Sequence, residues 1–257
     1  MKKIVVLIFS VFILLLMLQG CKTEQKNLIL NNASVNEDGT VHVEGKAIAF
    51  EGTVNIEVTD NESNICFAGF TTTDAKEPSD YGTFKKDIVL TLFPQSDQIT
   101  LKCFLISAKD GTTTEKEEKT LSYKVEYQLI NIYLPNSVKN PEMIDCEKVY
   151  PLERRIKKES KNPAIDALRF LINGPTEKEK ELGYLDSMIP QSTSVNFVKT
   201  EGESVVVDFG KEFLNITGGS CKVQAIRAEI EQTVKQFYPD YNIIISANGN
   251  REEVLQP

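Results

Sequence analysis

The sequence predicts a two-domain chain: an antiparallel β-sandwich, then an α/β domain with a mixed sheet and two helices. Three observations carry this. The 257 residues suit two modest domains. From Leu28 to about Tyr127, apolar residues recur in short alternating runs broken by turn residues, with no helical period. Near Leu129 the texture changes to strands mixed with two helical runs.

In the first half, ILNNASV leads to a turn at Glu37-Asp38-Gly39. TVHVEGKAIAF, GTVNIEVTD and NICFAGFTTT follow, with a turn at Asp60-Asn61 before the last of these. TFKKDIVLTL and QITLKCFLISA come next, and the turn Lys109-Asp110-Gly111 precedes KTLSYKVEY. Asp110-Gly111 suits a tight turn that needs positive φ. About seven short strands with frequent turns indicate a sandwich. Phe50 and Phe84 are expected in the core between its sheets. His42 alternates with Val41 and Val43, so on a strand it points away from the apolar face.

In the second half, LINIYLPN reads as a strand ending at Pro135, and CEKVYPLERRIK as a second, exposed strand. Asn162-Pro163 starts a helix, and Gly174-Pro175 stops it. Ile165, Leu168, Leu171 and Ile172 form its apolar stripe. SVNFVKTEGESVVVDF is a hairpin with Glu201-Gly202 at the tip. The helix from Ser220 places Val223, Ile226, Ile230, Val234 and Phe237 on one face. NIIISANG is the last strand, and two helices on one face of the sheet is the economical packing.

The runs VEGKAIAFEGTVNIEVTD, YGTFKKDI and LISAKDG resemble the immunoglobulin-like domain of bacterial spore-germination proteins, over about residues 30–125. IYLPN, ALRFLINGPTEKEKELGYLDSMIP, VVVDFGKEF and the helix from Cys221 resemble the sporulation and germination domain called GerMN, over about residues 129–250. Its most specific stretch is Leu171 to Thr176, then Glu179, Gly183 and Ile189-Pro190. The resemblance implies an immunoglobulin-like sandwich followed by a GerMN-like α/β domain. In that family the sandwich more often comes second. The GerMN fold is also similar to ring-building domains of secretion systems, which implies an assembly module on the outer face of a membrane.

At the front, Met1-Lys2-Lys3 is followed by an apolar run from Ile4 to Leu18, interrupted only by Ser10. That is short for a membrane span but suits a secretory signal core. Leu18-Gln19-Gly20-Cys21 resembles the lipobox of bacterial lipoproteins. The resemblance implies a diacylglyceryl thioether on Cys21 and removal of residues 1–20. Two acyl chains hold a protein to a bilayer where one does so only marginally. The expected organisation is therefore a signal peptide (1–20), a lipidated tether (21–27), the sandwich (28–127) and the GerMN-like domain (128–257).

Composition excludes more than it specifies. The formal charge of −8 becomes −10 when Lys2 and Lys3 are removed, so nucleic acid is not an expected partner. His42 is the one histidine, which rules out HExxH and His-cluster metal sites. Asp208-Phe209-Gly210 matches a kinase magnesium motif by coincidence, because the Gly-rich loop, the HRD and the β3 lysine are all missing. Glu177, Glu179 and Glu181 read as solvated surface. Cys66, Cys103, Cys146 and Cys221 leave two readings open: one disulfide per half, or buried thiols. Cys221 follows Gly218-Gly219 at a helix start, where a small residue closing a loop is favoured over a reactive thiol.

The function expected is a membrane-anchored extracytoplasmic lipoprotein with a non-catalytic structural or protein-binding role in sporulation or spore germination. The alternative is a ligand-binding lipoprotein that captures a germinant or a cell-wall fragment. Cys21 is the one site residue expected; no catalytic residue, metal or cofactor is. Expected partners are the membrane, through the lipid, and envelope or spore-assembly proteins, self-association included. A deep polar pocket would favour ligand capture; an exposed strand edge or apolar patch would favour assembly.

Overall fold

The computed structural model describes residues 26–251 and 254–255. Cys21 and the signal-like segment lie outside the described residues. The first half contains β1 (Leu28–Val35), β2 (Val41–Ala47), β3 (Thr53–Asp60), β4 (Ile65–Thr72), β5 (Gly82–Ile88), β6 (Gln98–Ile106) and β7 (Thr113–Ser122). They form two antiparallel sheets, β1-β2-β5 and β4-β3-β6-β7. Alternation decides what lies between them. Val41, Val43 and Ala47 on one sheet and Val54, Ile56, Val58, Leu101 and Cys103 on the other are all buried, as is Ala49 just past β2. Each large aliphatic side chain removed from water there stabilises the fold by about 1.5–3 kcal/mol.

Phe84 joins this core, but Phe50 does not: it is 62% exposed. The odd-numbered residues from Val41 to Ala49 face inward, so the even position 50 faces out. A 3₁₀ turn at Phe50–Gly52, with Glu51 at φ +50°, then breaks the strand.

The second half contains β8 (Tyr127–Leu134), β9 (Tyr150–Lys157), α1 (Pro163–Asn173), α2 (Glu177–Glu181), β10 (Val195–Glu201), β11 (Ser204–Phe209), α3 (Ser220–Lys235) and β12 (Asn242–Ala247). β10-β11-β12 is the mixed sheet, β11 pairing antiparallel with β10 and parallel with β12; β8-β9 is a separate antiparallel ribbon. Asn162 caps α1 by accepting from the Ile165 amide at 3.2 Å, and Pro163 occupies its first turn. Leu168, Leu171 and Ile172 of α1 and Ile226, Ile230 and Val234 of α3 pack with Ile132, Ile156, Val207 and Ile245 into one core. The expected exposed strand is half wrong. It begins only at Tyr150, and Arg154 and Ile156 are buried, because α1 covers that face of β9.

The β8-β9 ribbon would leave two open edges, and glutamine side chains close both. On β8, Gln236 accepts from the Asn131 amide at 3.0 Å and donates to its carbonyl at 2.6 Å, while Thr233 Oγ1 accepts from the Tyr133 amide at 3.1 Å. On β9, Gln95 of the sandwich accepts from the Arg155 amide at 2.7 Å and donates to its carbonyl at 3.0 Å. A glutamine amide thus imitates one residue of a neighbouring strand, satisfying backbone groups that would otherwise template another chain.

Each reading of the cysteines holds in one half. Cys146 and Cys221 form a disulfide with Cα atoms 5.2 Å apart, tying the loop after β8 to the first turn of α3. Cys221 is therefore neither a reactive thiol nor a mere loop closer. Cys66 and Cys103 are free and buried in the sandwich, and burial pushes the Cys103 thiol up to about 12.

Candidate functional site: a braced platform and a domain junction

The most specific sequence stretch folds into one braced platform. Gly174 ends α1 at φ +81°, a conformation that favours glycine. Its carbonyl accepts from Arg154 Nη2 at 3.3 Å. Arg154 is 4% exposed and grips Glu179 in a two-pronged ion pair, both bonds 2.7 Å. Glu179 Oε2 also accepts from the Thr176 amide at 2.7 Å, which starts α2. Burial pushes the Glu179 carboxyl up, but Arg154 and Thr176 together outweigh it and hold it below its ordinary value. Glu179 is thus not the solvated surface residue expected from its charged neighbours.

The next motif residues brace the loop after β8. Asn136 Oδ1 accepts from the Val138 and Lys139 amides, both at 3.0 Å, and its Nδ2 donates to the Leu182 carbonyl at 3.2 Å. Gly183, at φ +90°, lets the two segments touch: a Cβ there would lie 2.6 Å from Val138 Cγ2. Tyr184 Oη donates to the Pro151 carbonyl at 2.7 Å. The motif side chains are spent on one another. Among the charged residues of the platform they present two apolar side chains to solvent, Val138, 70% exposed, and Leu182, 67% exposed, on either side of the close contact at Gly183.

Two buried carboxylates lie elsewhere in this domain. Asp208 accepts from Ser246 Oγ at 2.7 Å, Asn196 Nδ2 at 2.8 Å and the Gly249 amide at 2.9 Å. Burial raises its pKa, but these three donors together lower it further. It ties the turn after β12 to β10. Glu229 in α3 is fully buried, accepting from Ser187 Oγ at 2.5 Å and the Met188 amide at 3.4 Å. Burial outweighs both bonds and raises its carboxyl to about 7. Its position in EIEQ gave no sequence signal beyond an acid on the helix's apolar side.

At the junction of the halves, Leu92 joins the second core and Phe93 packs against both. Asp60 accepts from the Gln95 amide at 2.8 Å and from Asn64 Nδ2, and Asn64 Oδ1 accepts from Asn173 Nδ2 at 3.2 Å. Arg155 pairs with Asp97 at 2.8 Å. Leu92 and Phe93 also line a groove between the sandwich and α1.

His42 faces away from Val41 and Val43, as expected, and hydrogen-bonds Asp87 Oδ1 through Nδ1 at 2.6 Å. Ser34 stands opposite His42 on the next strand, giving a Ser-His-Asp order across β1, β2 and β5. Among the described residues, Ser34 makes no hydrogen bond to His42, and the other ring nitrogen lies 3.9 Å from Glu44. The nucleophile–base contact that defines a triad is therefore missing. Among the described residues, no group of three or more His, Cys, Asp or Glu could hold a metal, and no helix is long and apolar enough to cross a membrane.

Two family models match the chain. Residues 30–112 match the immunoglobulin-like domain of bacterial spore germination, and residues 131–253 match the sporulation and spore germination domain. Among solved structures, the first GerMN domain of the sporulation protein GerM from Bacillus subtilis is 21% identical, covering 48% of this chain and 85% of that one, with a TM-score of 0.34. The tandem GerMN domains of the same protein are 21% identical over 49% of this chain and 41% of that one, with a TM-score of 0.35. A lipoprotein from Clostridium perfringens is 17% identical over 50% of this chain and 80% of that one, with a TM-score of 0.32. No curated protein matches the chain significantly.

Proposed function

The chain belongs to the sporulation and spore-germination family and carries its immunoglobulin-like companion domain, and from this premise we propose a lipid-anchored protein that docks other proteins and turns over no substrate. The observation that carries the proposal is the platform. Its motif residues hold one another, and they support an exposed apolar pair, Val138 and Leu182. Exposed apolar groups on a rigid support are what protein contacts use. The braced edges of β8-β9 direct that contact to the Val138–Leu182 surface instead of to strand pairing.

In this reading Cys21 carries the lipid on the outer face of the cell membrane. Confinement to one plane raises the effective concentration of partners, so a weak contact suffices. The partners are envelope or spore-assembly proteins, or further copies of this chain. The test is two-part. Cys21→Ala should abolish lipid labelling and membrane retention. Replacing the carboxylates of residues 129–250 with amides, in small groups, should leave function intact wherever the fold survives. Loss of spore formation or germination from one such change, with folding and partner binding intact, would return catalysis as the better reading.

A further inference from the structure

The groove at the domain junction has a volume of about 420 Å³, inside the range of small-ligand sites, which favour domain interfaces. Leu92, Phe93, Ile165 and Phe170 line it with apolar surface. Tyr123 supplies the groove with a free polar donor. It is 6% exposed, and its ring packs edge-on against Phe93 with centroids 5.5 Å apart. Its hydroxyl has no hydrogen-bond partner among the described residues. Gly39, also on the groove, lies against that hydroxyl: a Cβ there would come within 2.6 Å of it. The ring is buried while the hydroxyl opens to the groove, where a ligand can reach it. A second depression shares Thr91, Leu92 and Arg169 with the groove, and it is lined by Thr193, whose buried hydroxyl lacks a partner.

The charges are not balanced in availability. Asp38 is occupied by the amide and hydroxyl of Thr40, and Asp166 by Ser160 and Arg169. Arg169 makes one contact, at 3.3 Å to Asp166, and keeps its other donors. Lys161 has no partner among the described residues. Glu159 is the acid left over, in the same short turn as Lys161. Lys157, the third cation of the groove, gives one bond to the Asp38 carbonyl, while Lys161 and Arg169 keep donors free on the α1 side beside the apolar floor and the Tyr123 hydroxyl.

We propose that this groove binds a small carboxylate with an apolar body, of the size of a short peptide. Arg169 and Lys161 hold the carboxylate, Tyr123 donates its hydroxyl hydrogen to the ligand, and the apolar floor takes a side chain. The site is separate from the Val138–Leu182 surface and goes beyond the docking role. A free peptide and a peptide joined to a glycan present the same groups.

The test is calorimetric titration of the full mature chain in detergent. The probes are N-acetyl-Leu-Phe, its C-terminal amide, and the same acid joined to a disaccharide through its N-terminus. The free acid should bind at least about tenfold tighter than the amide. Tyr123→Phe should weaken the acid about fivefold without lowering the melting temperature, since the hydroxyl supports no contact in the fold. Lys161→Met with Arg169→Met should erase the difference between acid and amide. Tighter binding of the disaccharide-linked probe would support a cell-wall source; equal binding would support free peptides. Equal binding of acid and amide to the parent, or no saturable binding of either, would overturn the proposal.

Discussion

Replacing Glu179 by Gln removes one charge from the brace while conserving its shape. In the parent, the Glu179 carboxylate accepts three bonds of 2.7 Å, two from Arg154 and one from the Thr176 amide. The Gln carbonyl can keep one or two of these, while its NH₂ turns toward the guanidinium. Arg154, 4% exposed, then carries an uncompensated charge. Leaving one partner of a buried pair unpaired costs about 3–5 kcal/mol. For a protein of this size that lowers the melting temperature by about 6–20 °C. Arg154→Met with Glu179→Met should recover most of the loss, since exchanging both members of a buried pair for apolar groups is often near neutral. Urea unfolding of the four members of this cycle, followed by circular dichroism, measures the coupling. The Glu179 carboxyl lies below its ordinary value, so its contribution is present above that value and lost as pH falls; the parent–E179Q gap should close in acid. A cost under about 1 kcal/mol at neutral pH, or a double variant as unstable as the single, would refute the brace.

Glu229 has the opposite sign. Its carboxyl is raised to about 7, so the folded state holds a proton that the unfolded chain releases, and stability falls as pH rises from the ordinary carboxylate range toward 7. Glu229→Gln should match the parent near pH 4 and exceed it by about 3 kcal/mol at pH 8, read by urea midpoints. Cys146→Ser with Cys221→Ser opens a link spanning 75 residues and should cost about 2–4 kcal/mol, and reductant should lower the parent to the same level. Gln95→Leu should speed hydrogen exchange at the Arg155 amide about tenfold or more, since two hydrogen bonds to that residue are lost.

Local rules carried the strands and helices. The Asn162-Pro163 start and Gly174-Pro175 stop of α1 are visible because cap chemistry is local, and so is the alternation that buries Val41 and Val43. Phe50 lies outside the core because register, and not hydrophobicity, sets the direction of a strand side chain. The long-range partners were not legible. Arg154 and Glu179 are 25 residues apart, and Gln95 and Arg155 are 60 apart, so no periodicity links them. Charge-rich EKEKE reads as solvent-facing because only its third member turns inward, and what turns it is an arginine on β9. The pairing of Cys146 with Cys221 was equally hidden, since spacing alone favours no connectivity.

The docking role is tested most directly at the Val138–Leu182 surface. In sporulating cells that carry the lipidated chain with a photo-cross-linking residue at position 144, on the same exposed loop, covalent complexes can be counted with and without Val138→Asp and Leu182→Asp. Both side chains are exposed, so the paired change should move stability by no more than about 1 kcal/mol. The account predicts that the complexes disappear and that spore formation or germination fails while the protein stays folded and membrane-bound. Undiminished complexes with a normal spore phenotype would contradict it.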